Sequence, residues 1–218
     1  MGTLDGTKIG FIGLGLMGKP MARNLHAAGA AMTVTSRSPG PAEELAGEGM
    51  STAATPRAVA EVSDITILMV TDTSAVDKVL HGPDGVIAGL SSGKSVIDMS
   101  TTKVRETREW AKEVKAAGAH YIDAPVSGGT PGAEAGNLTI LIGADEASLP
   151  GTMPVFGVLG ENITHIGDIG AGQVTKTANQ AIVGMTLAAV AEGLTLAARA
   201  GVDPAKVRTA LLGGFAES

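Results

Sequence analysis

The chain contains no cysteine, which excludes disulfide bonds, thiolate metal sites and a cysteine nucleophile. Aromatic residues make up only 2% of the 218 residues, so few rings are available for nucleic-acid bases to stack on. The net charge of −6 also argues against a nucleic-acid partner. The four histidines are scattered and predict no metal site. Residues 1–7 lack the features of an export signal, and we predict a cytoplasmic protein.

Long uninterrupted apolar runs are also scarce, although 44% of the residues are hydrophobic and can bury a substantial core. The longest apolar tract, residues 178–198, approaches the length of a membrane span. It contains Asn179, Gln180 and Glu192 and has no flanking aromatic residues. We therefore predict no membrane partner, and interpret this tract as a long helix that packs on other protein.

The start of the chain carries an apolar strand that leads directly into a Gly-x-Gly-x-x-Gly turn. In a dinucleotide site, Gly13 permits the tight turn, Gly15 lets backbone amides approach the pyrophosphate, and Gly18 allows the next helix to pack closely. The helix N-terminus then offers unpaired N–H groups to the phosphates. The predicted cofactor-binding residues of this turn are Gly13, Leu14, Gly15, Leu16, Met17 and Gly18.

The end of the second predicted strand, residues 31–35, lacks the acidic residue that binds the ribose in most NAD sites. Ser36, Arg37 and Ser38 follow it and provide two hydroxyls and a guanidinium where a 2′-phosphate would lie. We therefore predict that NADP(H) is favoured, with NAD(H) possible. A solvated Arg37, or one that stacks on adenine, is the alternative interpretation.

Apolar strands alternate with helical segments over residues 8–167, which predicts an α/β fold with a Rossmann-type, doubly wound, mostly parallel sheet. Ligands of such sheets bind beyond the carboxyl ends of the strands, where Val70, Thr71 and Thr101 lie. We assign residues 1–167 to a dinucleotide-binding domain. Residues 168–218 are predicted to form a long interdomain helix and the start of a helical substrate or dimerisation domain that looks truncated.

Two further segments suggest a substrate site. Lys176, Asn179 and Gln180 have spacings of three and four residues, which place them on one helix face. The spacing is equally consistent with a solvated surface lysine. A helix N-terminus disfavours cations, so a solvated lysine would gain nothing from this position. The loop Ser127-Gly128-Gly129 follows a strand and offers a hydroxyl and two backbone amides to a carboxylate, with a plain glycine turn as the alternative.

Together, three ordered motifs resemble those of the β-hydroxyacid dehydrogenase family along essentially the whole chain. They are Gly-Phe-Ile-Gly-Leu-Gly-Leu-Met-Gly-Lys-Pro-Met-Ala at 10–22, Asp-Ala-Pro-Val-Ser-Gly-Gly at 123–129 and Gly-Ala-Gly-Gln-Val-Thr-Lys at 170–176. The resemblance implies an oxidoreductase in which Lys176 is catalytic, Ser127, Gly128 and Gly129 bind the substrate carboxylate, and Thr101 lies near the nicotinamide. It also implies about seventy further residues, with a second lysine and an acidic residue near the active site.

Within this family, Lys-Thr-Ala-Asn-Gln at 176–180 is similar to the branch that reduces tartronate semialdehyde to glycerate. The alternatives are 3-hydroxyisobutyrate, succinic semialdehyde or glyoxylate as substrate. Imine reductases share the architecture but generally replace the lysine. A nonenzymatic cofactor-binding module is a further alternative. Under every interpretation the apolar face from Val183 to Leu196 predicts a homo-oligomer, a dimer or a tetramer.

Overall fold

The computed structural model describes residues 2–217. They divide into two compact units, the first ending at Lys176 and the second beginning at Thr177. The strands are β1 (Lys8–Ile12), β2 (Ala31–Thr35), β3 (Ser51–Thr52), β4 (Ile65–Leu68), β5 (Ser95–Asp98), β6 (His120–Asp123), β7 (Val126–Ser127), β8 (Leu138–Gly143) and β9 (Gly160–Gly167). The helices are α1 (Gly18–Ala27), α2 (Pro39–Gly47), α3 (Pro56–Val62), α4 (Thr73–Leu80), α5 (Val86–Gly89), α6 (Val104–Ala116), α7 (Gly129–Ala135), α8 (Leu149–Leu159), α9 (Ala171–Arg199) and α10 (Pro204–Leu211).

Within residues 2–217 all nine strands join one sheet, with the order β3-β2-β1-β4-β5-β6-β8-β7 and β9 paired to β8. The pairs from β3 through β6 are parallel, whereas β8 runs antiparallel to β6 and β7. The order of the strands reverses between β1 and β4. Doubly wound sheets bind ligands at such a reversal, in the crevice outside the carboxyl ends of the strands, which here are β1 and β4. The predicted doubly wound, mostly parallel α/β fold is confirmed.

Side chains on the two faces of the sheet enter two separate apolar cores, because neighbouring residues of a strand point to opposite faces. In β1, Phe11 lies in the first core and Ile12 in the second. The first core is covered by α1 and α8, which contribute Met21 and Phe156, and the second is covered by α6, which contributes Trp110. The central parallel strands β1, β4, β5 and β6 are therefore covered on both faces, as a parallel sheet requires.

The second unit contains the rest of α9 and the short helix α10. Asp203 caps α10 by accepting a hydrogen bond from the backbone of Ala205 at 2.9 Å, as predicted from the Asp-Pro pair. Among residues 2–217, α9 alone has the length and composition to cross a membrane, with a mean hydropathy of 1.7 over its most apolar window. Core helices of water-soluble domains pass the same test but are mostly buried, whereas this window is exposed within the described residues.

Candidate active site

The glycine turn between β1 and α1 has three glycines with different structural requirements. A Cβ on Gly13 would lie 2.2 Å from the carbonyl oxygen of Met69, and one on Gly18 would lie 1.9 Å from the carbonyl oxygen of Gly13. Those two positions are closed to any side chain by the protein itself. A Cβ on Gly15, in contrast, would meet no protein atom within 4 Å. Gly15 is therefore dispensable for packing and leaves space beside the backbone for a ligand.

The backbone around Gly15 also offers free hydrogen-bond donors. Among residues 2–217, the N–H groups of Gly15, Leu16 and Met17 have no hydrogen-bond partner, and no side chain caps the start of α1. The Leu16 side chain is 81% exposed, so it does not cover these donors. Unpaired N–H groups at a helix N-terminus are suited to a diphosphate. The residues present thus fit the pyrophosphate of a dinucleotide.

The segment after β2 carries Arg37, and β2 is bonded to the glycine turn. The Gly13 N–H donates to the carbonyl of Thr35, the last residue of β2, at 3.2 Å. Arg37 is exposed two residues later and forms no ion pair or hydrogen bond within the described part of the chain. The Ser36 hydroxyl donates to the carbonyl of Ser38 at 2.5 Å. Arg37 is therefore available to a phosphate, and residues 35–38 include no acidic residue.

An ion-pair cluster holds α2, which begins directly after this segment, against α1. Lys19 and Arg23 of α1 bind Glu44 of α2 at 2.8 and 2.6 Å. Arg23 also pairs with Glu48, just beyond the end of α2. Side-chain hydrogen bonds from Lys19 and Arg23 lower the pKa of Glu44, so the carboxylate stays charged. The cluster thus links α1 to the helix that begins after the Arg37 segment.

The carboxyl ends of β4 and β5 form the other side of the crevice. The Ser100 hydroxyl accepts a hydrogen bond from the N–H of Val70 at 3.0 Å, which joins the two loops. Ser100 and Thr102 are buried, while Thr101 between them is exposed. Thr71 is exposed and donates to Asp72, the cap of α4, at 3.0 Å. The structure therefore presents Thr101 at the surface between two anchored neighbours.

The loop Ser127-Gly128-Gly129 connects β7 to α7. Gly128 has φ 132° and Gly129 has φ 61°, two consecutive values that side chains rarely tolerate. Within residues 2–217, the N–H groups of both glycines and the half-buried Ser127 hydroxyl have no hydrogen-bond partner. Three unpaired donors on one short loop fit a carboxylate.

Lys176 lies next to this loop. Its side chain reaches from the second turn of α9, and its Nζ donates to the carbonyl oxygen of Val126 at 2.7 Å. The residue is only 8% exposed, and burial lowers the pKa of its ammonium group. A surface lysine, the alternative left open by the sequence, does not match this burial. The structure thus brings Lys176 and the Ser127 loop together.

Asp123 anchors the start of the helix that carries Lys176. Its carboxylate, at the end of β6, accepts hydrogen bonds from the N–H of Gly170 at 2.6 Å and of Gln173 at 2.9 Å. Burial raises the pKa of Asp123, and these backbone donors oppose the rise. A Cβ on Gly143 would lie 2.5 Å from the Asp123 carboxylate, so a glycine is required there. The first turn of α9 is therefore fixed to the sheet.

A second buried carboxylate, Asp98, lies beside Asp123 in the sheet register. It accepts hydrogen bonds from the Ser100 N–H at 3.0 Å and the Tyr121 hydroxyl at 3.1 Å. Burial raises the pKa of Asp98 to about 6, the Asp123 charge adds to the rise, and the hydrogen bonds oppose it. Asp98 therefore holds the backbone of the Ser100 loop from inside the sheet.

The sequence interpretation did not select Asp98, Asp123 or Gln173 as site residues. An acid at the end of an apolar strand was the available signal for the first two, because carboxylates seldom lie in buried strands without partners. Asn179 and Gln180 belong to the second unit, where the Asn179 amide donates to Gln180 Oε1 at 3.1 Å. Their predicted role at the substrate stays a prediction.

Comparisons with known proteins agree with this geometry. Residues 8–167 match the sequence profile of the NAD binding domain of 6-phosphogluconate dehydrogenase. Residues 170–218 match the profile described as NAD-binding of NADP-dependent 3-hydroxyisobutyrate dehydrogenase. The two profiles meet near residue 168, whereas the two compact units meet after Lys176.

Among curated proteins, 2-hydroxy-3-oxopropionate reductase of Escherichia coli is 48% identical over 97% of this chain and 72% of its own length. The 2-(hydroxymethyl)glutarate dehydrogenase of Eubacterium barkeri is 40% identical over 90% of this chain. The chain spans 65% of the length of that protein.

Among solved structures, Mycobacterium tuberculosis 3-hydroxyisobutyrate dehydrogenase with L-serine superposes with a TM-score of 0.88 at 31% identity. The match covers 97% of this chain and 72% of that one. Fold, profile and relatives agree, and they confirm the predicted class of enzyme. The chain belongs to the β-hydroxyacid dehydrogenase family of oxidoreductases, and its first unit is an NAD(P)-binding domain.

Proposed function

We propose that the chain is an NADP(H)-dependent reductase of short 3-oxo acids, with tartronate semialdehyde as substrate and glycerate as product. One observation carries the proposal: the buried Lys176 ammonium lies against Val126, beside the free donors of the Ser127 loop. The 48% identity to a 2-hydroxy-3-oxopropionate reductase supports the choice of substrate. The same site would oxidise a 3-hydroxy acid in the reverse direction.

The Gly13–Gly18 turn would hold the pyrophosphate of the cofactor through the N–H groups of Gly15, Leu16 and Met17. Val70, Thr71 and Thr101, which follow the carboxyl ends of β4 and β5, would flank the nicotinamide. When bound, the nicotinamide supplies the hydride that reduces the carbonyl carbon. The protein contributes orientation and exclusion of water around that carbon.

The Ser127 hydroxyl and the N–H groups of Gly128 and Gly129 would bind the substrate carboxylate. The far end of a three-carbon acid would then lie next to Lys176. The ammonium group would donate a proton to the oxygen of the carbonyl as negative charge develops there. Burial favours this transfer, because a lowered pKa makes the ammonium a stronger acid. Asn179 and Gln180 would orient the reacting oxygen or the lysine.

Substrate choice is tested by comparing rates with tartronate, methylmalonate and succinic semialdehydes under identical conditions. We expect the highest kcat/KM with tartronate semialdehyde, since the Ser127 loop and Lys176 together accommodate a short polar acid. A higher kcat/KM with one of the other two would transfer the assignment to that substrate. A wild-type protein that binds NADPH and reduces none of them would support a nonenzymatic module instead.

We expect Arg37→Ala to weaken NADPH binding about tenfold and to leave NADH binding unchanged, since a charge-assisted bond to the 2′-phosphate is lost. The measurement is a fluorescence titration with each dinucleotide. Arg57→Ala is the matched control, because this exposed arginine already pairs with Glu61 at 2.7 Å. Equal weakening of NADPH and NADH would show that Arg37 contacts the adenine or ribose and does not select the phosphate.

We further propose that residues 168–218 begin a helical substrate or dimerisation domain and that α9 is a helix of this domain. Asn179, Gln180 and Glu192 interrupt its apolar surface, which disfavours a membrane span. Ile182, Met185 and Leu187 are more than 60% exposed, so this surface favours a partner and supports a homo-oligomer. A cytoplasmic location stays a prediction.

A further inference from the structure

Gln173 lies one turn before Lys176 on α9 and is completely buried. Its Oε1 accepts a hydrogen bond from the N–H of Thr102 at 3.0 Å. Its Nε2 donates to the carbonyl oxygen of Ser100 at 2.8 Å. The two ends of one side-chain amide thus bind the residues on both sides of Thr101.

This pair of bonds fixes the backbone around Thr101. Two hydrogen bonds to one rigid amide set both the position and the rotation of the loop, as a neighbouring strand would. Thr101 is consequently exposed while its neighbours are buried. The restraint extends to the next loop, because the Ser100 hydroxyl also accepts from the N–H of Val70.

The same residue is fixed at its own backbone. The N–H of Gln173 donates to the Asp123 carboxylate at 2.9 Å, so the amide projects from a part of α9 that is held to the sheet. Lys176 follows three residues later on the same helix face. The Thr101 loop and Lys176 are therefore positioned by one short, rigid piece of helix.

We propose that Gln173 is a positioning residue that sets the Thr101 loop in register with Lys176, so that the nicotinamide end of the cofactor lies at the lysine. The inference rests on the proposed function, which places the nicotinamide beside Thr101. The pyrophosphate and the 2′-phosphate would be held elsewhere, at the glycine turn and at Arg37. Loss of Gln173 should therefore affect only one end of the dinucleotide.

The test compares NADPH with a fragment that lacks nicotinamide, 2′-phospho-ADP-ribose, in fluorescence and calorimetric titrations. Gln173→Met keeps the side-chain length and removes both hydrogen bonds. We expect it to weaken NADPH binding about tenfold and to change fragment affinity less than about twofold. Equal weakening of both ligands, or of neither, would overturn the proposal.

Thr152→Val provides the matched control, because it removes a buried hydroxyl in α8 that donates to Ser148 at 3.0 Å, in a helix outside the proposed site. This variant should lower the melting temperature without changing the ratio of the affinities for NADPH and the fragment. If the wild type binds no NADPH, the proposed function fails. If the wild type binds it and Gln173→Met matches the wild type, the positioning role alone fails.

Gln173→Glu tests the hydrogen bond that Gln173 donates to Ser100. A carboxylate can accept from Thr102 but cannot donate to Ser100, whereas the protonated acid can do both. We expect NADPH binding by this variant, relative to wild type at the same pH, to recover as pH falls from 8 toward 5. Asp98, Asp123, Tyr121, Arg108 and Lys176 are the titratable groups of the elements packed around Gln173. Gln173→Met, which adds no carboxylate, is the control and should show no recovery over the same pH range. A deficit that does not change with pH would contradict the proposal.

Discussion

Replacing Lys176 with alanine or methionine is expected to lower kcat about 10²- to 10⁴-fold, the usual contribution of a positioned general acid. The expected loss is in kcat because the ammonium acts on the oxygen while charge develops, whereas the Ser127 loop holds the carboxylate in the ground state. Cofactor affinity should remain within about twofold of wild type, since the glycine turn does not involve the lysine. Steady-state rates and an NADPH titration on the same preparation measure both quantities.

The methionine variant separates chemistry from packing, because it fills nearly the volume of the buried lysine without its charge. Lys112→Ala on α6 is the control for loss of a lysine, since that side chain is exposed and makes no ion pair within residues 2–217. Retention of more than a tenth of wild-type kcat in Lys176→Met would remove the lysine from the chemical step.

The pH dependence of kcat in the wild type also tests whether Lys176 acts as an acid. For carbonyl reduction the ammonium must be protonated, so kcat should fall as pH rises through the Lys176 pKa. Burial lowers that pKa, so the fall should begin at a lower pH than for an ordinary lysine. The residual activity of Lys176→Met should not show this fall in kcat with rising pH.

Gly15→Ala is expected to weaken dinucleotide binding about 100-fold while leaving the folded protein as stable as the wild type. The new methyl group meets no protein atom within 4 Å, so nothing in the protein resists it. It would occupy the space beside the donors of the turn, and overpacking of that kind costs up to about 3 kcal/mol. Thermal unfolding without cofactor and a titration with NADPH test the two halves of the expectation.

Gly18→Ala is the contrasting variant. Its methyl group would lie 1.9 Å from the carbonyl oxygen of Gly13, so we expect a lower melting temperature even without cofactor. If Gly15→Ala also lowered the melting temperature, the turn would be restricted by its own packing, and the space beside Gly15 would not mark the pyrophosphate.

The parts of the fold that follow from local patterns were predictable. Strands such as Ile65–Leu68 are short, largely apolar runs, and the Gly-x-Gly-x-x-Gly pattern indicates the turn that follows β1. Helix α8 was not predicted, because it contains Pro150, Gly151, Pro154 and Gly157 and has a poor local preference for helix. Its buried residues Val155, Phe156 and Leu159 hold it in place through contacts distant in sequence.

The candidate site shows the same division. Lys176 and Ser127 belong to motifs, so their types and spacing suggested them, yet only the folded chain decides whether a lysine is buried. Gln173 and Asp98 act through partners as far as 73 and 23 residues away, Ser100 and Tyr121 respectively, and no local pattern connects them. These hydrogen bonds form only once the sheet has brought distant segments together, so no single segment predicts them.

The buried Asp98 makes the stability of the fold depend on pH. Its pKa is about 6 in the folded chain and near 3.8 when exposed, so around pH 5 the native state takes up a proton that the unfolded chain does not hold. Stability from this group is complete below pH 4 and is lost as pH rises through about 6, which amounts to roughly 3 kcal/mol. Most carboxylates act in the opposite direction in acid. A fold with such a residue beside its crevice gives up stability at neutral pH and retains it where acid unfolding normally begins.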